Sequence, residues 1–338
     1  MKLFGKNLEH DVAVVAEVGV NHEGDVEAAS ALLRLAAEAG ADAVKFQTYS
    51  PDRYATASDT ERLTRVGRFA LDEGSHGRLA KEAKSLGIVF FSTAVTEDVV
   101  PLLDSLCPVI KIASGDLTFE PVVRAAAATG KSVILSTGGG TVDEIDCAVD
   151  WVRGEIGDAA LADRLVLMQC VSAYPTPIEQ ANARSVPFLA ERYGVHVGYS
   201  NHVIGIEACL AAIALGASVI EAHFTDRKSG RDFRDHQLSF EPDDMADLVR
   251  RAPLVKASLG AYGKAVQPVE LPGRDIMRKG VVAARDLAAG TALAETDLMY
   301  ARPATEFAAA DLPRLVGRHL LAAVGRGELI RRENVESA

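Results

Sequence analysis

A (β/α)8 TIM barrel followed by a small, separately folded C-terminal module is the fold class predicted for this chain of 338 residues. Three observations predict it. Short apolar runs alternate with segments of helical periodicity about eight times over the first ~265 residues. Ionisable and hydroxyl residues recur at one end of almost every apolar run, as expected where strands hand over to the loops of one rim. From about Leu271 this pattern gives way to Pro, Gly and charges, and then to short strands and turns.

Taken in order, the first predicted strand is VAVVAEV, ending near Glu17, and the second is AVKFQT with Lys45 and Gln47. IVFFST brings Ser92 and Thr93, VIKIASGD brings Lys111, Ser114 and Asp116, and SVILSTG brings Ser136 and Thr137. The sixth run, LVLMQCVSAY, carries Gln169, Ser172 and Tyr174; VHVGYSNH carries Ser200 and His202; SVIEAHF carries Glu221 and His223. Between them lie helical segments such as VEAASALLRLAAEAG and FEPVVRAAAATG, several closed by Gly just past the last apolar residue. An open doubly wound sheet is the rival architecture, but its GxGxxG turn is missing after VAVVAEV, where NHEGD follows. The expected organisation is a barrel over residues 1–268, a linker over 269–278 and a compact module over 279–338.

With 48% hydrophobic and 25% charged residues, the chain can bury a large core. A net charge of -11 argues against nucleic acid or an anionic membrane as main partner, because the long-range field repels both. Any anionic substrate must be held by local donors. Charges scattered through MKLFGKNLEHDVAVVAEVGV and the lack of a membrane-length apolar run make a cytoplasmic protein the expectation. Cys107, Cys147, Cys170 and Cys209 are widely spaced without a CxxC pair and read as buried thiols.

His202 and His223 fall at the ends of the last two predicted strands. Neighbouring parallel strands lie ~5 Å apart, so the two imidazoles can converge on one ion. Glu221, two residues before His223, shares its strand face. Lys45 and Lys111 lie inside apolar strands, where an unpaired ammonium is costly. Two readings stand for them: ion pairs with Glu17 or Glu221, or an anion clamp completed by the hydroxyls of Ser92, Ser114, Ser136 and Ser200. Glu17 and Asp116 are candidates for proton transfer or for holding a metal-bound water, with helix capping as the alternative. The polar loop GRDFRDHQLS reads either as an active-site cover or as a solvated charge cluster.

At these residues the sequence resembles the sialic acid synthase family, enzymes that condense phosphoenolpyruvate with an N-acetylated sugar to give nine-carbon 2-keto acids. The resemblance is carried by AEVGVNHEGD, AGADAVKFQTY, FFSTA, IKIASGD, TGKSVILSTGG, YPTP, VGYSNH, GIEA, LGASVIEAHFT and DHQLSFEP, in the family's order. The tail resembles the family's antifreeze-like (SAF) domain in RKGVVAARDLAAGTALAETDL, ARP and VGRGELI.

The resemblance implies that His202 and His223 bind a divalent metal, typically manganese, with magnesium or cobalt as the other candidates. It implies that Lys45, Lys111, Ser114, Ser136 and Ser200, with Ser92 and Ser172, cradle phosphoenolpyruvate. Glu17, Asp116 and Glu221 are then the catalytic carboxylates. Gln47, Tyr174 and Asp235 line the acceptor side, together with Arg302 reaching from a partner subunit in a domain-swapped homodimer. The implied acceptor is N-acetylmannosamine, with the legionaminate, pseudaminate and spore-coat-type sugar syntheses as relatives of the reaction. A barrel aldolase or a 3-deoxy-octulosonate phosphate synthase fits the tail and Arg302 less well. A non-catalytic sugar-binding relative is the reading from a different class.

Several positions depart from the family's pattern. Asp116 stands in place of Glu in SGE, Asn201 in place of Asp in SDH, and Gln169 in place of His in HC. Val171 and Ser172 replace Thr-Asn or Thr-Ser, FRDH replaces GPDH, and Ala304-Thr305-Glu306 replaces the Gly-x-Gly after ARP. The metal pair and phosphate clamp match, while the acceptor side departs.

Overall fold

The structure, a computed structural model, describes residues 1–337. Eight parallel strands close into a barrel: β1 (Ala13–Gly19), β2 (Ala43–Thr48), β3 (Val89–Ala94), β4 (Val109–Ile112), β5 (Ser132–Ser136), β6 (Leu165–Cys170), β7 (His196–Asn201) and β8 (Val219–His223). Each is covered by helices outside and by its barrel neighbours inside. Their sequences therefore read as continuous apolar runs rather than alternating ones. Closure comes from β8 pairing with β1, which sets His223 opposite Glu17.

The major helices are α1 (Val26–Glu38), α2 (Glu73–Leu86), α3 (Val100–Leu106), α4 (Glu120–Ala128), α5 (Val142–Ile156), α6 (Ser185–Tyr193), α7 (Glu207–Ala214) and α8 (Pro242–Ser258). Local chemistry fixes their ends. Asp25 caps α1 by accepting from the amides of Glu27 and Ala28, and Thr141 and Glu144 form a reciprocal box at α5. Gly87 stops α2 in the left-handed conformation at φ 75°, as its place after the last apolar residue predicts.

Within the barrel the two-residue period sends alternate side chains inward. Gly198 on β7 is part of how that interior packs: a Cβ there would collide with Met168 Sδ and with the Val219 carbonyl. Only glycine lets Met168 fill the floor beneath the polar rim. Cys107, Cys170 and Cys209 are buried as expected, whereas Cys147 on α5 is exposed.

The chain divides into compact units at Gly260/Ala261, earlier than composition suggests. The segment expected as a linker holds a 3-10 turn over Pro268–Gly273 and a helical turn over Arg274–Met277. The second unit has its own core, built from Val281, Leu287, Leu293, Leu298, Leu315 and Ile330 among others. Its strands β9 (Gly280–Ala283) and β10 (Leu298–Ala301) pair antiparallel. No helix among the described residues is long and apolar enough to cross a membrane.

Candidate active site

Strand ends and loops on one face of the barrel enclose a cavity of about 760 Å³. Barrel register decides which polar residues reach it. Glu17 pairs across the sheet with Lys45, Gln47 with Thr93, Thr93 with Lys111, Ser200 with Glu221, and Glu17 again with His223, so all of these share the inward face. All of them line the cavity, as do Ser114, Asp116, Ser136, Tyr174, His202 and Asp235.

At the cavity floor lies a buried charge network. Lys111 Nζ stands 2.8 Å from both Glu221 oxygens, and Ser200 Oγ donates to Oε1 of the same carboxylate at 3.0 Å. Lys45 Nζ donates to Thr93 Oγ1 at 3.0 Å and stands 3.5 Å from Glu221. Its nearest anion is Glu17 Oε2, an ion pair at 2.6 Å. The ion-pair reading of the lysines therefore holds, and the pairs lie inside the cavity.

Two lysines and two carboxylates in one buried site titrate unequally. Burial pushes Glu17 up to about 7, and the charge of Glu221 adds to this against the attraction of Lys45. Burial also disfavours charge on Glu221, but Lys111 and Lys45 outweigh it and hold that carboxyl well below the ordinary range. Burial lowers Lys111 even with Glu221 beside it, whereas at Lys45 the two carboxylates overcome burial and raise it. Glu17 is thus the member poised to exchange a proton near neutral pH. Asp116 is pushed up to about 7 by burial, and its carboxylate has no hydrogen-bond partner among the described residues. It caps no helix.

The two histidines meet as the strand spacing predicts, with ring centroids 5.4 Å apart. His202 Nδ1 lies 2.6 Å from the Val171 carbonyl, so it carries the proton and leaves Nε2 as a free lone pair. Burial, then the neighbouring His223, lowers His202 to about 3, and burial lowers His223 too. Both imidazoles are neutral at physiological pH. His223 Nδ1 is buried with no partner, and the Tyr174 ring lies 4.1 Å from His202 and 5.9 Å from His223. This donor set fits a divalent ion held by two imidazoles. No cluster of three or more His, Cys, Asp or Glu suited to a metal occurs among the described residues, so an ion held there would draw its remaining ligands from water or substrate.

Other expected residues differ in their placement. Ser92 faces away from the cavity: it is fully buried between barrel and helices, 2.7 Å from Thr48 Oγ1, which in turn contacts His76. Its neighbour Thr93 holds the cavity position instead, because a one-residue step along a strand reverses the face. Ser172 sits outside the cavity lining in the loop after β6, yet its hydroxyl converges with Ser114 Oγ and Cys170 Sγ on Gly138. A Cβ on Gly138 would stand 2.6, 2.8 and 2.9 Å from those atoms in that order. Gly138 N donates to Ser114 Oγ at 3.0 Å, giving a tight cradle of amide and hydroxyls beside Ser136.

Two departures from the family pattern prove remote from the cavity lining. Gln169 points outward, donating to the Ala181 carbonyl at 3.4 Å, and Asn201 bonds Val203 and Gly205 in its own turn. Gln47 lies 3.4 Å from Glu17 Oε1 on the cavity wall. The loop after β8 is packed rather than solvated: His236 is buried against Thr225 Oγ1 at 2.6 Å and Arg231 pairs with Asp226 at 2.8 Å. That packing brings Asp235 to the cavity beside Arg234, whose guanidinium lies 4.5 Å from the Tyr174 ring centroid. Arg302 belongs to the second unit, where it donates to the Met277 carbonyl at 2.5 Å.

Tyr54, Arg62 and Arg65 also line the cavity, and sequence reasoning missed them. They belong to a helical turn, Pro51–Tyr54, and a ten-residue helix, Thr60–Phe69, inserted between β2 and α2. The available signal was the i, i+3, i+4, i+7 stripe Arg62, Arg65, Val66, Phe69.

Comparison with known proteins identifies the family. The NeuB family model matches residues 32–264, and the SAF domain model matches residues 278–336. The chain is 35% identical over 338 residues to the N,N'-diacetyllegionaminic acid synthase of Legionella pneumophila, with 96% of this chain and 94% of that protein covered. It is 30% identical to the N-acetylneuraminate-9-phosphate synthase of Homo sapiens, with 97% and 94% covered. Among solved structures, the N-acetylneuraminic acid synthetase of Leptospira borgpetersenii aligns with a TM-score of 0.73 and 30% identity over 78% of this chain and 90% of that one. A putative spore coat polysaccharide biosynthesis protein E from Chromobacterium violaceum gives a TM-score of 0.79 and 27% identity over 97% and 100%. With the family model spanning most of the barrel and relatives matching along nearly the whole length, the chain belongs to the NeuB family.

Proposed function

We propose that this enzyme is a nonulosonate synthase: it joins C3 of phosphoenolpyruvate to the aldehyde carbon of an open-chain N-acetylated sugar, N-acetylmannosamine first among the candidates. Water adds at C2 of the former phosphoenolpyruvate, and C–O cleavage releases phosphate and leaves a nine-carbon 2-keto acid. The observation that carries this reading is one cavity holding two neutral histidines above a buried network of Lys45, Lys111, Glu17 and Glu221.

Each group has a role suited to its environment. Lys45 and Lys111, with Ser114, Ser136, Ser200 and the amide of Gly138, bind and orient the anionic groups of phosphoenolpyruvate. His202 and His223 would hold a divalent ion, manganese as the first candidate, which polarises the sugar aldehyde when bound. Glu17, poised near neutrality by burial, takes the proton of the attacking water, with Asp116 as the second carboxyl. Gln47, Tyr174 and Asp235 line the side left for the acceptor. Arg302 of a second copy, in a domain-swapped homodimer, completes that side, and the enzyme acts in the cytoplasm on surface-glycan precursors.

A related acceptor, as in legionaminate or pseudaminate synthesis, is the second reading. It is favoured by Phe233-Arg234 in place of Gly-Pro, which sets Arg234 over Tyr174. The test is phosphate release by the purified protein with manganese, phosphoenolpyruvate and a panel of N-acetylated hexoses, coupled to product mass. No phosphate above background with every acceptor refutes the synthase reading.

A further inference from the structure

Asn21, in the phrase NHEGD that follows β1, is buried and lies outside the cavity lining. Its side-chain amide nonetheless reaches two elements of the acceptor side: Nδ2 donates to the Phe224 carbonyl at 2.9 Å and to Ser239 Oγ at 3.0 Å. The orientation of the amide is forced, because a carbonyl can only accept and Asn21 Oδ1 has no partner. Ser239 therefore accepts from Asn21, and its single proton goes to the Asp235 carbonyl at 2.6 Å. Two buried hydrogen bonds in series thus run from the loop after β1 to the backbone of Asp235.

The two ends of this relay differ in how firmly they are held. Asn21 sits where β8 closes on β1: its own amide N donates to the Val18 carbonyl at 2.9 Å, and Phe224 N donates to the Glu17 carbonyl at 2.7 Å. It is anchored on the same strand ends as Glu17 and His223. Asp235, by contrast, rides on a helix of five residues, Arg234–Leu238, too short to hold itself in water. The carboxylate of Asp235 meets Arg234 at 2.8 Å, but the Arg234 side chain is 60% exposed and belongs to the same turn, so the pair moves with the turn. What fixes the turn comes from outside it. His236 is tied to Thr225 Oγ1, and Asp235 itself to Asn21 through Ser239.

We propose that Asn21 and Ser239 are positioning residues, which hold the backbone of Asp235 so that its carboxylate stands at the acceptor side in a fixed relation to Glu17 and His223. Neither touches substrate. This rests on the synthase reading above, in which Asp235 lines the acceptor side, and it gives NHEGD a part in that site. A binding group displaced by about 1 Å loses much of its value to a reacting substrate, so the relay acts on turnover through Asp235 alone. Ser239 is the cleaner probe of the two, because Asn21 also braces Phe224 beside His223.

The test measures KM and kcat for N-acetylmannosamine and for phosphoenolpyruvate, with manganese, in the full-length protein and its variants; if another sugar of the panel is the better acceptor, that sugar replaces N-acetylmannosamine. The variants are Ser239→Ala, Asn21→Ala, Asp235→Ala, the double Ser239→Ala/Asp235→Ala, and Ser30→Ala. The last removes a buried hydroxyl bonded to Glu82 between α1 and α2, far along the chain from the relay. Ser239→Ala is expected to raise KM for the acceptor about tenfold, the size of one lost buried hydrogen bond, and to leave KM for phosphoenolpyruvate within about twofold. Asn21→Ala shifts the acceptor in the same direction, and thermal melts identify any variant that fails to fold. On the Asp235→Ala background Ser239→Ala adds nothing, because the carboxylate it positions is gone. Ser30→Ala lowers the melt and leaves both KM values alone. An unchanged acceptor KM in Ser239→Ala overturns the role. So do penalties that add in the double variant, or both KM values rising together there or in Ser30→Ala, since the hydroxyl then serves the fold at large. A wild type that releases no phosphate with any sugar overturns the synthase reading, and the role falls with it.

Discussion

Glu221→Gln isolates the energetic logic of the barrel floor. Glu221 accepts from Lys111 at 2.8 Å through both oxygens and from Ser200 at 3.0 Å, in a site where Lys111 is 2% exposed. The substitution keeps the shape and the Ser200 hydrogen bond but leaves Lys111 without an anion, since Lys45 keeps Glu17. Losing one partner of a buried pair costs about 3–5 kcal/mol. An independent ceiling gives the same size: Lys111 can escape by deprotonating, and neutralising a lysine of ordinary pKa near 10.4 at pH 7 costs about 4.6 kcal/mol at 1.36 kcal/mol per unit. That is a large share of the ~5–15 kcal/mol that holds a domain together.

The second route gives the loss a signature in pH. In the variant the folded state leaves Lys111 neutral while the unfolded chain binds its proton up to about pH 10.4, so unfolding takes up a proton and stability rises with pH. The deficit relative to wild type is therefore full near pH 7 and shrinks by up to about 2.7 kcal/mol by pH 9. Trp151, the single tryptophan, packs against the barrel core, so its fluorescence in urea follows this unit alone. A deficit below about 1 kcal/mol refutes the account of Lys111 as a buried cation dependent on Glu221, and a large deficit that does not change between pH 7 and 9 refutes its escape by deprotonation.

Other expectations follow from the same geometry. Asp116 is raised to about 7 against an ordinary 3.8, so wild type loses stability relative to Asp116→Asn as pH climbs through that interval. Paired urea titrations from pH 4 to pH 8 check this, and a constant difference counts against it. His202→Ala and His223→Ala each weaken manganese binding by calorimetry; unchanged affinity in both removes the proposed metal site. Thr93→Val raises KM for phosphoenolpyruvate, whereas Ser92→Ala leaves it alone and costs about 1 kcal/mol of stability through the lost Thr48 hydrogen bond. The reverse pattern would mean that the face assignment on β3 is wrong.

What could be read in the sequence follows from what the barrel constrains. Strand ends recur at fixed places in a (β/α)8 chain, so Glu17, Lys45, Lys111, Ser136, Ser200, Glu221 and His223 could be placed on the rim from pattern alone. The choice between Ser92 and Thr93 could not, because both are polar and strand parity is set by pairing partners distant in the chain. Gln169 and Asn201 mislead for a related reason: a substitution at a strand end looks like a change of acceptor until its side chain is seen to face outward. The pairing of both lysines with carboxylates was legible only as one alternative. Distances, not residue types, show that these pairs lie inside the cavity. The inserted helix Thr60–Phe69 displayed its stripe plainly, but which surface a stripe faces is a tertiary fact.

The floor network has one more consequence, for substrate binding itself. Lys45 and Lys111 are both already opposed by carboxylates, so the clamp carries little net positive charge when Glu17 and Glu221 are ionised. If phosphoenolpyruvate binds at this floor as proposed, it adds negative charge beside Glu17, and the cheapest response is to protonate the carboxyl that burial has already raised to about 7. Binding should therefore take up protons near pH 8, where the ligand's own phosphate, with its second pKa near 6, is fully ionised and supplies no confounding change. The uptake fades below about pH 6, because Glu17 is then protonated before the ligand arrives. Calorimetric titration of the metal-free protein in buffers of different ionisation enthalpy reads the proton count directly. Glu17→Gln loses that share of the uptake. A heat of binding independent of buffer at pH 8 would mean that Glu17 stays ionised beside the ligand, and that a group other than this carboxyl balances its charge.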